Sequence, residues 1–178
     1  YNFDLEHWNF NKKPKESMGQ YFTRLATSPI SLSNNLCTWD LSPKGAAEFN
    51  STYQIDSDVY YFSYSTSATK QTISTFQHKP DSEMSLHLWI TGTLIGKSNR
   101  YNNQWKENDG IVNTISMYHP EGVKNRQFEG NPQKGIWQHI KKLHMDHQAV
   151  IGHNITKNAY DNLIALYSEH CQLLYTLK

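Results

Sequence analysis

Two short segments carry the side chains best suited to chemistry. In Trp105-Lys106-Glu107-Asn108-Asp109-Gly110-Ile111-Val112-Asn113, an Asp before a Gly opens onto an apolar run. That is the setting of a tight turn at the edge of an element. In His144-Met145-Asp146-His147-Gln148-Ala149-Val150-Ile151-Gly152, a His follows an Asp at the start of a short apolar run, which suits a loop-borne base. A carboxylate that holds an imidazole in one tautomer, with the imidazole taking a proton from a hydroxyl nucleophile, performs acyl transfer. Asp109 and His147 are the candidates for these two roles. Taken singly, each has a plainer reading. Asp109 is then an ordinary Asp-Gly turn, and His147 a surface histidine in a chain that has nine.

Their order strengthens the pairing. Acid, then base, then a terminal amphipathic helix is the chain order of α/β-hydrolases, in which the serine precedes both. Such residues sit on loops at strand ends. The nucleophile is missing. A nucleophile elbow needs G-x-S-x-G, because small residues permit its strained strand-to-helix turn. None of the nine Gly begins that pattern. Gly96-Lys97-Ser98-Asn99 comes nearest and fails at the last position, and the run Ser63–Ser67 lacks glycine.

The elements that must position these residues are sparse. Met18, Tyr21, Phe22 and Leu25 fall at i, i+3, i+4, i+7 and predict a helix that Pro29 ends. Ser42-Pro43 predicts a second, short helix through Ala46, Ala47 and Phe49, with Ser as cap and Pro at the first helical position. Val59–Tyr64 is β-branched and aromatic and reads as a strand. Ser65 to Trp105 shows no long period, a length that is often functional when it is irregular. Within it, Leu86–Ile95 is expected to hold a short strand or a covering loop. Ile111–Met117 reads as a short strand or helix, and Gly135–Ile140 as a strand. Tyr160, Leu163, Ile164, Tyr167, Cys171 and Leu174 trace one face of a helix over Lys157–Leu177. No hairpin signal is present. Two or three short, distant strands cannot make a covered parallel sheet by themselves.

Composition narrows the function classes. Net charge is +1, from 17 basic and 16 acidic residues, which argues against nucleic acid as a partner. No stretch reaches the ~18 apolar residues of a membrane span. Apolar residues make up 37% of the chain, a thin core for 178 residues, as though part of the core lay in sequence outside it. No signal peptide stands at Tyr1, and the lack of an initiator Met fits a chain that begins mid-protein. Two cysteines, Cys37 and Cys171, are too few for a disulfide scaffold. Cys171, on the apolar face of its helix, is expected to be a small buried hydrophobe.

Many motifs in one order make the chain resemble the C-terminal portion of staphylococcal and related thermophilic bacillus-type lipases, over nearly its whole length. They are Tyr1–Trp8; Pro14-Lys15-Glu16-Ser17 with Tyr21-Phe22-x-Arg24-Leu25; Asp40-Leu41-Ser42-Pro43-Lys44-Gly45-Ala46; Val59–Tyr64; Trp105-x-Glu107-Asn108-Asp109-Gly110-Ile111-Val112; Gly135-Ile136-Trp137; and Asp146-His147 with Val150-Ile151-Gly152. The resemblance implies an α/β fold class, with residues 1–178 as the C-terminal, incomplete portion of one α/β-hydrolase lipase domain. It implies Asp109 as triad acid and His147 as general base, with the serine upstream. It implies acylglycerol or other ester lipids as substrates at a lipid–water interface, secretion to the extracellular space, and the rest of the lipase domain as partner. No cofactor is required for the chemistry.

Relatives of this kind bind calcium near the histidine. Ala149 and Asn154 stand at two of those ligand positions and Glu83 near a carbonyl ligand, so only a weak oxygen set is left. Glu6 stands at a zinc-ligand position where Asp is usual, with His7 beside it, and the remaining zinc ligands would come from outside the chain. His139, His144, His147 and His153 fit no standard metal spacing. Two rival readings are a truncated, non-catalytic lipase remnant acting as a lipid-binding or interaction module, and an aromatic-rich carbohydrate-binding module.

Overall fold

A computed structural model describes residues 12–26, 42–155 and 157–177, without the side chains of Phe22, Leu25, Ala26 and Asn158. The chain divides into two compact units, residues 1–54 and 55–178. Glu6, Cys37 and the expected stop at Pro29 lie outside the described residues.

In the first unit, helix α1 spans Met18–Ala26 and helix α2 spans Pro43–Thr52. Ser17 and Gln20 form a reciprocal capping box at the start of α1. The Gln20 N–H donates to Ser17 Oγ at 3.2 Å, and the Ser17 N–H donates to Gln20 Oε1 at 2.9 Å. Arg24, one turn on, donates to both oxygens of Glu16 at 2.8 and 3.0 Å. That guanidinium holds the Glu16 carboxyl down at about 2. The expected start of α2 is observed: Ser42 Oγ accepts from the Gly45 N–H at 3.1 Å, and Pro43 occupies the first helical position.

The second unit is built on a three-stranded sheet of order β1-β5-β4. Its strands are β1 (Tyr61–Ser67), β4 (Asn125–Gln127) and β5 (Trp137–His144). Both pairings are parallel. Tyr61 pairs with Trp137 and Ser67 with His144, with one register shift between Ser63 and Tyr64. The sequence places β1 and β5 correctly but starts each two residues early. Both run on to later, more polar residues, since Ser65, Thr66 and Ser67 are buried at the C-terminal end of β1.

The segment without long period holds a strand pair and a helix. Strands β2 (Thr69–Gln71) and β3 (His78–Pro80) form an antiparallel pair. Their connection, residues 72–77, contains no glycine and no Asn-Gly step, so it carries no short hairpin signal. Helix α3 (Trp89–Lys97), preceded by a 3-10 turn at Leu86–Leu88, replaces the expected strand or covering loop. The cause is close approach. A Cβ at Gly96 would lie 2.1 Å from the His78 carbonyl oxygen, so this helix can lie against β3 only with glycine there. Leu88 and Met84 pack with Ala68 beneath it as the apolar core of the unit. Residues 114–117 form a 3-10 turn.

Helix α4 (Lys157–Tyr175) forms over the expected span. Its apolar face is less covered than the period suggests. Leu163 is buried, whereas Tyr160, Ile164, Tyr167 and Leu174 remain about half exposed. Cys171 is exposed, contrary to the expectation of a buried hydrophobe. The helix touches the rest of the unit through Leu163, through the Tyr167 hydroxyl donating to the Val150 carbonyl at 3.0 Å, and through His170 against Tyr64. Cys171 lies one turn on from Tyr167, on a face that is only partly covered, with Tyr167 and Leu174 themselves about half exposed.

Candidate active site

Asp109 and His147 meet at the C-terminal ends of the two long parallel strands, where open parallel sheets place their sites. The loop carrying Asp109 docks on the end of β1: the Ala68 N–H donates to the Asn108 carbonyl at 3.1 Å. Asn108 is fully buried. Its amide donates to the carbonyls of Gly92 and Lys106 at 3.2 and 2.9 Å, and its Oδ1 accepts from the Gly110 N–H at 2.9 Å. Gly110 takes φ of 99°, with Leu88 against it where a Cβ would sit, so the turn after the acid is confined to glycine. Glu107 receives a hydrogen bond from Lys142 of β5 at 2.7 Å, which ties the acid loop to the strand that leads to His147. This bond raises the Lys142 ammonium above its ordinary range. An exposed pair of this kind contributes about 0–1 kcal/mol, so its role is register more than stability.

Asp109 is 1% exposed and accepts four hydrogen bonds. Oδ1 accepts from the N–H groups of Ile111 at 3.0 Å and Val112 at 2.8 Å. Oδ2 accepts from the Thr66 hydroxyl at 2.7 Å and faces His147 Nδ1 at 2.9 Å. The backbone joins the same two residues, with the His147 N–H donating to the Asp109 carbonyl at 3.0 Å. An ionised carboxylate only accepts, so the proton sits on Nδ1 and the lone pair on Nε2. The imidazole side chain is 44% exposed, and Nε2 has no partner among the described residues. A buried carboxylate against one ring nitrogen and an unpartnered second nitrogen are the arrangement that a general base requires.

The loop bearing His147 is held by Asp146, itself fully buried. Asp146 Oδ1 accepts from the N–H groups of Gln148 and Ala149 at 2.9 and 2.8 Å, and Oδ2 accepts from Ser85 N–H at 2.8 Å. Burial pushes this carboxyl up, but the hydrogen bonds from Ser85, Ala149 and Gln148 outweigh it and hold the group below its ordinary range. A folded value below the unfolded one contributes stability above the unfolded value, about 4, which is lost as pH falls through the folded value. Asp146→Asn turns one acceptor into a donor facing backbone N–H groups. It should cost about 1–3 kcal/mol at pH 7 and flatten the loss of stability in acid. Urea midpoints at pH 7 and pH 3 check this, and equal midpoints for the two proteins at pH 7 would refute it.

The other histidines go elsewhere. His139 lies between Ser65 Oγ at 3.0 Å and Gln127 Oε1 at 3.2 Å, and burial lowers its pKa. His144 pairs with Asp81 at 2.8 Å, and His87 meets Gln148 Oε1 at 2.9 Å. Among the described residues no group of three His, Cys, Asp or Glu side chains is placed to hold a metal. Calcium takes six to eight oxygens. The nearby carboxylates are engaged, Asp81 by His144 and the Glu83 N–H, and Asp146 by three backbone N–H groups. Asn154 turns its amide to Gln148 Oε1 at 3.4 Å. Among the described residues, those around Glu83 and Asn154 therefore do not fit a calcium ion. Sequence reasoning assigned no role to Thr66 or Asp146. Asp146 stood within the quoted motif, whereas Thr66, 43 positions from the acid, carried no local signal.

Comparison with known proteins finds similarity to lipases. The model of the lipase-like C-terminal domain family matches residues 1–175. A lipase of Staphylococcus epidermidis is 36% identical over 156 residues, covering 87% of this chain and 22% of that protein. Among solved structures, Staphylococcus hyicus lipase matches with a TM-score of 0.74 and 31% identity, over 97% of this chain and 45% of that one. Lipase 1 from Pelosinus fermentans matches with a TM-score of 0.68 and 34% identity, over 100% of this chain and 49% of that one. The chain thus spans about a fifth of the curated relative and under half of each solved lipase.

Proposed function

The chain belongs to the family of lipase-like C-terminal domains, and we propose that it supplies the acid and the base of a carboxylic ester hydrolase whose serine lies upstream in the full-length protein. In this reading the chain is the C-terminal, incomplete portion of an α/β-hydrolase domain. The observation that carries it is the buried Asp109 bonded to His147 Nδ1, with Nε2 left free on the exposed edge of the ring.

His147 Nε2 takes the proton of the serine hydroxyl as its oxygen attacks the ester carbonyl carbon. Asp109 stabilises the imidazolium without itself taking the proton. The imidazolium then gives the proton to the departing alcohol oxygen as the carbon–oxygen bond breaks, leaving an acyl-serine. Water, deprotonated by the same nitrogen, attacks the acyl carbon, and the imidazolium then gives that proton to the serine oxygen as its bond to the acyl carbon breaks, which releases the acid and restores both residues. No cofactor enters the chemistry. Acylglycerols and related ester lipids are the substrate class, and the extracellular space is the site of action. No helix among the described residues is long and apolar enough to cross a membrane.

A fluorophosphonate ester analogue tests the assignment. The full-length protein should gain one phosphonyl group, on a serine outside residues 1–178, and labelling should slow by orders of magnitude in His147→Ala. An adduct on a serine within residues 1–178, or none, would sink this reading.

A further inference from the structure

We propose that Thr66 is a positioning residue for the acid–base pair: its hydroxyl holds the same carboxylate oxygen, Asp109 Oδ2, that accepts the His147 Nδ1–H. The inference rests on Asp109 and His147 acting as that pair.

Thr66 lies near the C-terminal end of β1 and is 5% exposed. Its hydroxyl has one hydrogen and two neighbours, Asp109 Oδ2 at 2.7 Å and Met117 Sδ at 3.2 Å. The carboxylate is nearer, charged and the stronger acceptor, so it takes the hydrogen. The sulfur also lies 3.3 Å from the Thr66 backbone nitrogen. The residue is fixed from two sides. Its strand pairs it with Leu143 of β5, and its carbonyl accepts from the hydroxyl of the buried Thr114 at 2.8 Å.

The two oxygens of Asp109 are held in different ways. Oδ1 is gripped by Ile111 and Val112, from its own turn. Those bonds fix one oxygen and leave the carboxylate plane free to swing about it. Oδ2 is held by Thr66 and His147, and the second of these is a half-exposed ring on a loop. Thr66 therefore sets the plane from the rigid strand, so that Oδ2 faces the imidazole before any substrate arrives. Misplacement of a reacting group by about 1 Å can cost about 100-fold in rate, so a group two bonds removed carries a sizeable fraction of the turnover.

Removing the hydroxyl has two effects. The carboxylate loses its fixed plane, and Oδ2 turns its whole accepting capacity to His147 Nδ1–H. Turnover falls, while the low-field proton resonance of that N–H moves further downfield.

The experiment uses the full-length protein, with steady-state kinetics on a soluble ester and the low-field proton spectrum. Thr66→Val should lower kcat about 10-fold or more with KM unchanged, and shift the His147 resonance. Thr66→Ser should restore both. Thr66→Ala, smaller than the native side chain, serves should the valine variant not fold. Normal kcat with an unmoved resonance overturns the proposal. So does a fall in kcat with the resonance unmoved, since a general packing defect does that, and so does a serine variant as poor as valine. Asp109→Asn in the same spectrum separates the two levels. If it leaves the His147 resonance in place, the pairing itself fails. If it removes the resonance while Thr66→Val changes nothing, the pairing stands and only the role of Thr66 falls.

Discussion

Asp109→Asn in the full-length protein should lower kcat about 10⁴-fold with the fold intact. The reason lies in which atoms the carboxylate serves. Two backbone N–H groups, from Ile111 and Val112, point at Oδ1 and demand an acceptor. The amide oxygen of Asn will stay there. That leaves the NH₂ group at the Oδ2 position, facing His147 Nδ1. Nδ1 must then accept, so the ring proton moves to Nε2, where it blocks the lone pair that should take the serine proton. The shape is kept and the tautomer is wrong. Hydrolysis of a soluble ester measures the effect, and a loss of less than about 10-fold would remove Asp109 from the acid role.

His147→Ala should cost about 10⁶-fold in kcat, because it removes the proton acceptor and donor of both half-reactions. What remains would come from groups outside this chain that bind the ester. Residues acting as one unit do not add. The double variant Asp109→Asn with His147→Ala should therefore be no slower than His147→Ala alone. A carboxylate whose role is to orient an imidazole has nothing to do once the imidazole is gone. Near-normal hydrolysis by His147→Ala, or a double variant slower by the product of the two single losses, would contradict the assignment.

Several elements are legible before any coordinates. The aromatic, β-branched run from Val59 yields a strand, and Ser42-Pro43 caps α2. The apolar period over Lys157–Leu177 yields α4. Asp109 and His147 are picked out by order and motif, and the structure brings them to 2.9 Å. Other elements are not legible. Helix α3 is read as a strand or loop because Ser65 to Trp105 shows no long apolar period. The tertiary contact wins: at Gly96 a Cβ would meet the His78 backbone, so glycine there lets the helix lie against β3. The hairpin β2–β3 lacks the turn residues that signal one, and β4 is three residues long, below the length at which alternation can be read. Exposed Cys171 shows the same limit, since the period of α4 is read correctly but not how much of its face is covered.

From sequence alone come the α/β character, the chain order of acid and base, and the residue types able to take a proton and hold a tautomer. The individual elements are set by local rules, because capping, period and side-chain chemistry depend on neighbours a few positions away, while the fold class and the order of the pair come from the motifs taken together. The tertiary structure alone decided that Asp109 would be buried with four donors and His147 left half exposed. It alone drew Thr66 and Asp146 into the support of the pair. The physical reason is the parallel register of β1 on β5. It fixes the strand ends side by side and so brings together hydrogen-bond partners 38, 43 and 61 positions apart, a distance over which no local pattern carries information.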